Sequence, residues 1–179
     1  IGYQKIAFLV NTALKESANL LVMPEACTPL EWLPVLARTS SRNNMAIITG
    51  VEHIFGTNVY NLTAVILPYT DRKTGAQGAH IFYHSKNHFA PGELQLIRGN
   101  ILQPFEGNGS SKNQSSYELY NWNDFLFSAI AAMNSHQCGS IHIPVFADAI
   151  IAVEWNHDVN YYSNIIESLS RDVHATAFR

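Results

Sequence analysis

The sequence predicts a mixed α/β fold in which buried sheets form a sandwich with helices packed outside. Three observations lead there. Apolar residues recur at helical spacing near both ends of the chain, as in Ile6, Leu9, Val10, Ala13 and Leu14. Between them lie short runs that are almost wholly apolar and bounded by turn residues, the pattern of strands covered on both faces. The middle of the chain holds hairpin-like strands. With 179 residues, 47% hydrophobic and 14% charged, the chain fits one domain or part of a larger one, and it is too apolar for disorder.

Taken in order, the first helix closes at Lys15, Glu16 and Ser17. "NLLVMP" reads as a buried strand ended by Pro24. "LEWLPVLARTSSRNN" reads as a second helix, with Pro34 tolerated in its first turn. "MAIITGVEH", "VYNLTAVILP" and "AHIFYHSK" are the next strands, each rich in β-branched or aromatic residues. "GELQLIRGNILQPFEGNGSSKNQSS" is expected to be loop-rich, most of all in "EGNGSSKNQSS". "YELYNW" and "DFLFSAIAAM" pair around the turn "NWND", and "DAIIAVEWN" is a further buried strand. A last helix, "NYYSNIIESLSRDV", sets Tyr162, Ile165, Ile166, Leu169 and Val173 on one face, and "HATAFR" reads as the middle of a strand. A chain that opens inside a helical pattern and closes inside a strand is expected to be a segment of a longer polypeptide, so residues 1–179 read as one domain cut at both ends.

Bulk properties narrow the function classes. A net charge of −3 without a basic tract gives no general attraction to nucleic acid or to an anionic membrane. The longest apolar runs, "AVILPY" and "ADAIIAVEW", are strand-sized and too short to span a bilayer, and "IGYQKIAFLV" is not a signal peptide. Two cysteines, Cys27 and Cys138, are too few for a disulfide framework, so a reduced cytoplasmic setting is the default.

Three residues could carry chemistry. Glu25 follows an apolar strand, where α/β folds commonly place their sites, although a glutamate there is also a common surface residue. Lys86 ends another apolar strand in "YHSKNHFAPGE", flanked by His84 and His88. It could offer a fixed charge to a developing oxyanion, or simply extend its ammonium into water. Glu93, after Pro91 and Gly92, is a second carboxylate on the same connection or a solvated loop residue.

Together, "LLVMPE", the pattern Y-x-x-K-x-H-x-x-P-x-E and the strand "FSAIAAM" followed by "ADAIIAVEWN" resemble the nitrilase, or carbon–nitrogen hydrolase, superfamily. The resemblance covers nearly the whole chain, and the lysine motif is its most specific part. It implies an αββα sandwich that pairs into larger assemblies, of which this chain would be an incomplete segment. It also implies a Glu-Lys-Cys site that needs no cofactor. Glu25 matches the general base, Lys86 the oxyanion-stabilising lysine and Glu93 the auxiliary carboxylate. The implied reaction is acyl transfer from a small amide or nitrile through a thioester.

The nucleophile is where the chain departs from that pattern. The family strand runs Phe-x-x-x-x-Cys-aromatic-Glu, and residues 127–134 read F-S-A-I-A-A-M-N. Ala132 occupies the nucleophile position, and a methyl group cannot attack a carbonyl. Three explanations stand: loss of activity at Ala132, a shifted alignment in which Cys138 serves, or a stretch distorted by residues absent from the chain. Ser135 has no partner base beside it, and Cys27 reads as a small packing residue. His136, Cys138 and His142 match no closed metal pattern, so no metal is expected.

Further along, the resemblance implies that Trp155 and Asn156 line the rim of a substrate pocket; read from the residues alone, Trp155 is core and Asp158 caps the following helix. "EWN-x-D" followed by "ESLSRD" is more loosely similar to nitrilase-like domains attached to bacterial defence reverse transcriptases, although no Tyr-x-Asp-Asp strand is present. Two functions are thus expected to compete. One is a carbon–nitrogen hydrolase. The other is a catalytically inactive domain serving oligomerisation or ligand sensing, as a homo-oligomer or within a fused protein.

Overall fold

The computed structural model describes residues 2–86, 89, 91–105, 115–116, 118–131, 141–142, 147–153 and 176–178. Helix α1 (Tyr3–Lys15) leads into β1 (Leu20–Thr28). A 3-10 turn (Leu30–Trp32) and α2 (Leu33–Asn43) precede β2 (Ala46–Val51). The short β3 (Ile54–Phe55) and β4 (Asn58–Tyr60) are followed by the long β5 (Leu62–Thr70) and β6 (Gln77–Ser85). Helix α3 (Pro91–Gly99) comes next, then β7 (Gln103–Pro104), β8 (Ser115–Ser116), β9 (Tyr120–Trp122) and β10 (Phe125–Ala131). The last strands are β11 (Ile141–His142), β12 (Ala149–Val153) and β13 (Thr176–Phe178).

Among the described residues two four-stranded sheets form the body, one in the order β1-β2-β5-β6 and the other β13-β12-β10-β9. In the first, β1 and β2 run parallel, while β5 runs antiparallel to both β2 and β6. In the second, β12 runs parallel to β10 and β13, and β9 and β10 form the expected hairpin around Asn123 and Asp124. Both turn residues have positive φ, at 52° and 62°, a conformation that Asn and Asp tolerate better than other side chains do. Smaller ladders join β3, β4 and β7, and β8 with β11.

Strand alternation explains why β2 and β5 are apolar throughout. Ala46 and Ile48 of β2, with Val65 and Leu67 of β5, face the second sheet and meet Phe127, Ala129, Ala149 and Ile151. Their neighbours Ile47, Ala64 and Ile66 point the other way and meet Ile6, Val10, Leu33 and Leu36 of the two helices. Every residue of β2 is buried. The described residues thus form a helix layer on a sheet on a sheet. The predicted helix of "NYYSNIIESLSRDV" lies outside them.

Three expectations need correcting. Helix α3 occupies the start of the segment expected to be loop. Pro91 at its first position, Glu93 in the first turn, Arg98 in the last and Gly99 at the end are helix-boundary residues, and Ile97 buries its side chain against Val59 and Phe89. Strand β1 does not stop at Pro24. The ladder to β2 breaks after Met23 and resumes at Thr28↔Val51, so the proline, which lacks a donor, sits in an irregularity rather than at an end. "VYNLTAVILP" is two strands, parted at Asn61.

Phe127 is fully buried where the sheets meet. Phe127→Ala should destabilise the protein by roughly 3–5 kcal/mol, as other emptied aromatic sites do. In urea this reads as a lower unfolding midpoint at unchanged slope.

Candidate active site

Glu25 is presented by the irregular part of β1. The following residue, Ala26, is left-handed at φ 51°, which bends the strand out of its ladder. The bend lies directly on Gly50 of β2. A Cβ there would stand 2.4 Å from the Glu25 Cα and 2.6 Å from the Ala26 nitrogen, closer than any side chain permits. Below the bend, the hydroxyls of Thr28 and Thr49 share a buried 2.6 Å hydrogen bond, and the Cys27 thiol contacts both at 3.3–3.4 Å. Cys27 is buried in the core beside the helices and has a packing role there.

Lys86 follows the last residue of β6. Its backbone N–H donates to the Asn61 carbonyl at 2.8 Å, at the break between β4 and β5. The side chain turns inward until it is only 4% exposed, so it does not reach out to water. Its Nζ donates to Glu25 Oε1 at 3.0 Å and to both oxygens of Glu93, at 3.0 and 2.9 Å. Three bonds match the three donors of an ammonium. The Phe89 ring lies 5.8 Å from Nζ, within reach of a cation–π contact. Glu93 arrives from the first turn of α3, so the unforeseen helix is what delivers the second carboxylate to Lys86.

Asn61 was not foreseen as a site residue. It is 1% exposed and donates from Nδ2 to Glu25 Oε1 at 2.6 Å. Glu25 Oε1 therefore accepts from both Asn61 and Lys86. The clue in the sequence was a lone amide inside the apolar run "VYNLTAVIL", which strand patterning alone does not explain. Gly50 had no signal beyond being a glycine after a buried run.

A titratable cluster stands further back on β6. His84 Nε2 hydrogen-bonds the Tyr120 hydroxyl, which donates to Glu118 Oε2 at 2.9 Å. Burial holds the His84 imidazole below its usual 6.5, with the Glu118 charge partly opposing. Burial also pushes the Tyr120 phenol well above its ordinary range, and the bond to Glu118 adds to this.

The structure therefore brings Glu25, Lys86 and Glu93 together from β1, the end of β6 and α3. A buried carboxylate beside a fixed ammonium can take up a proton while the positive charge steadies a nearby oxyanion. Ala132, Trp155 and Asn156 lie outside the described residues, as do Cys138 and His136. Among the described residues, no cluster of three or more His, Cys, Asp or Glu could hold a metal ion, and no helix is long and apolar enough to cross a membrane.

No protein-family model and no curated protein matches the chain by sequence. Solved structures do match. A CN-hydrolase superfamily protein, XC1258 of Xanthomonas campestris, whose active site carries an arsenic adduct, superposes with a TM-score of 0.57 at 12% identity. That match covers 96% of this chain and 68% of the other. A mutant of the amidase of Nesterenkonia sp. AN1, with the acetamide moiety of fluoroacetamide added covalently at its active-site cysteine, gives 0.60 at 11% identity, over 97% and 66% of the two chains. The glutamine-dependent NAD+ synthetase of Acinetobacter baumannii gives 0.57 at 14% identity, over 97% of this chain and 34% of its own. The fold is thus that of the CN-hydrolase, or nitrilase, superfamily, and the chain spans about two thirds of the first two proteins and about a third of the third.

Two outcomes follow from the site's electrostatics. Lys86→Met strands Glu25 without its counter-charge and should cost roughly 3–5 kcal/mol, part of which Glu25→Gln in the same chain should restore, as read from urea midpoints. For His84 the folded pKa is depressed below 6.5, so the unfolded chain takes up the proton first. Its contribution to stability is full above that pH and is lost as the pH falls from there through the folded value. His84→Gln should flatten stability against pH in that window, measured by denaturation at matched ionic strength.

Proposed function

We propose that the chain is a nitrilase-type domain, one unit over residues 1–179, with a site built for the C–N bond of a small, non-peptide amide or nitrile. The observation that carries this is the Lys86 ammonium, buried and hydrogen-bonded between Glu25 and Glu93. A buried ammonium between two carboxylates is costly for stability alone, since well-packed apolar residues commonly serve as well or better. Its retention has a ready purpose in acyl transfer. In this reading Glu25 is the general base, Lys86 steadies the oxyanion, Glu93 holds Lys86 in place, and Trp155 and Asn156 line the rim. The likeness to an amidase that is modified at a cysteine supports the reaction class.

The full reaction needs a thiol. Its proton passes to Glu25 as sulfur bonds the carbonyl carbon. The C–N bond then breaks, ammonia leaves with that proton, and water cleaves the thioester. Alanine at 132 removes the first step. This favours a second reading, in which the domain binds its ligand without cutting it and serves sensing or oligomerisation, in the cytoplasm or inside a larger protein. A fusion of the kind found beside defence reverse transcriptases is one such setting.

Ala132→Cys separates the two. On the hydrolase reading, fluoroacetamide adds an acetamide mass to that variant, detected by intact mass spectrometry and formed much faster than any label on Cys138 of the unmodified chain. Glu25→Gln added to it should slow labelling by at least about a hundredfold, the scale of a lost general base. If Ala132→Cys labels no faster than Cys138 does in the unmodified chain, the position is not a nucleophile site.

A further inference from the structure

We infer that His84 and Tyr120 are positioning residues: the hydrogen bond between them, carried on to Glu118, fastens the Lys86 end of β6 to the second sheet and so fixes Lys86 relative to β10, the strand that leads to position 132. This rests on the function proposed above, in which Lys86 and position 132 serve one ligand. Lys86 directly follows β6, and β6 stands last in the order β1-β2-β5-β6. Among the described residues it is laddered on one side only, to β5. A strand held on one side opens more readily than a central one, so a lysine delivered from its end needs a second anchor.

Tyr120 supplies that anchor from β9, the outer strand of the other sheet, where it pairs with Phe127 of β10. The contact between the sheets is otherwise made by side chains such as Ile48, Val65 and Leu67 against Phe127, Ala129 and Ile151. Apolar contact is non-directional, whereas a hydrogen bond holds only within a narrow range of distance and angle.

The groups themselves dictate the direction of each bond. A carboxylate only accepts, so the Tyr120 hydroxyl donates its hydrogen to Glu118 Oε2 at 2.9 Å. The hydroxyl oxygen then accepts from His84, whose Nε2 must carry a hydrogen. Glu118 is tied down in turn, because the Ser128 hydroxyl of β10 donates to its backbone carbonyl at 3.0 Å. The strap therefore runs from β6 through β9 to β10, which ends at Ala131, one residue before position 132. Tyr120 is buried, and the rings of Phe82 and Phe127 lie 5.3 and 5.4 Å from its own. Two apolar side chains would fill such a place with no polar groups to satisfy. What the polar pair adds is a single alignment of the strands that carry it.

Tyr120→Phe keeps the ring and deletes the hydroxyl. Amide hydrogen exchange, read by NMR, compares the Lys86 N–H, which is bonded to the Asn61 carbonyl at 2.8 Å, with the amides of the fully buried β2. The Lys86 amide should exchange at least about tenfold faster while those of β2 stay within about twofold. A contribution to overall stability alone would speed both by one factor. His84→Gln, which keeps an N–H near the Nε2 position, should retain slow exchange, and His84→Leu should lose it. In the Ala132→Cys background, Tyr120→Phe should slow fluoroacetamide labelling at least about tenfold, as misplaced reacting groups do.

One measurement needs no variant. Heteronuclear NMR of the unmodified protein, at a pH where the imidazole is neutral, should find the His84 hydrogen on Nε2. A hydrogen on Nδ1 overturns the inference. So does equal acceleration of the Lys86 and β2 amides, or none, and so does labelling that Tyr120→Phe leaves unchanged. If Ala132→Cys stays unlabelled with Tyr120 intact, the proposed function falls, while exchange and tautomer still decide whether the strap holds β6.

Discussion

A lysine ammonium taken almost wholly out of water has to be met by acceptors on every side, and that requirement organises this end of the molecule. Lys86 is met by Glu25 from a bent strand and by Glu93 from the first turn of a helix. Glu25 lies 61 residues from it in the chain and Glu93 seven, and a different element of the fold presents each. The strand must bend to present one, and the helix must start where it does to present the other. Asn61 then closes the arrangement by holding the carboxylate of Glu25 and the backbone of Lys86 together.

Rigidity comes from the layers beneath. The β2 and β5 strands are buried on both faces, with helices on one side and the second sheet on the other. A central pair packed this way has little freedom to shear. Polar groups at its end inherit that stiffness, and a site that must hold charges in place without reorganising benefits from it. The same logic separates the roles of Cys27 and Glu25, two residues apart. The thiol points into the helix-side core beside Thr28 and Thr49, while the carboxylate points to Lys86.

The sheets were legible because strands covered on both faces leave short, wholly apolar runs bounded by turn residues, such as "MAIITGV". The β9–β10 turn was legible from Asn123 and Asp124 for the same local reason. Helix α3 was obscured by the glycines and polar residues that follow it, although Pro91, Glu93 and Arg98 mark its ends. The Glu25–Lys86–Glu93 grouping was legible only through resemblance, since no local rule joins residues 61 apart. Asn61 was missed because its importance lies in a tertiary hydrogen bond. Burial of Lys86 was missed as well, because a strand-end lysine ordinarily reaches water and only the facing carboxylates reverse that preference.

Gly50 shows how a location can be indispensable while contributing no functional group. Its lone hydrogen leaves the space that the bent backbone at Glu25 and Ala26 fills. Any larger residue would shift the carboxylate by pushing on main chain, which yields far less readily than a flexible side-chain tip. Inventories that search for acids, bases and nucleophiles will pass over such a position. A map of tolerated substitutions would rank it beside the acid it accommodates, with emptiness as its only qualification.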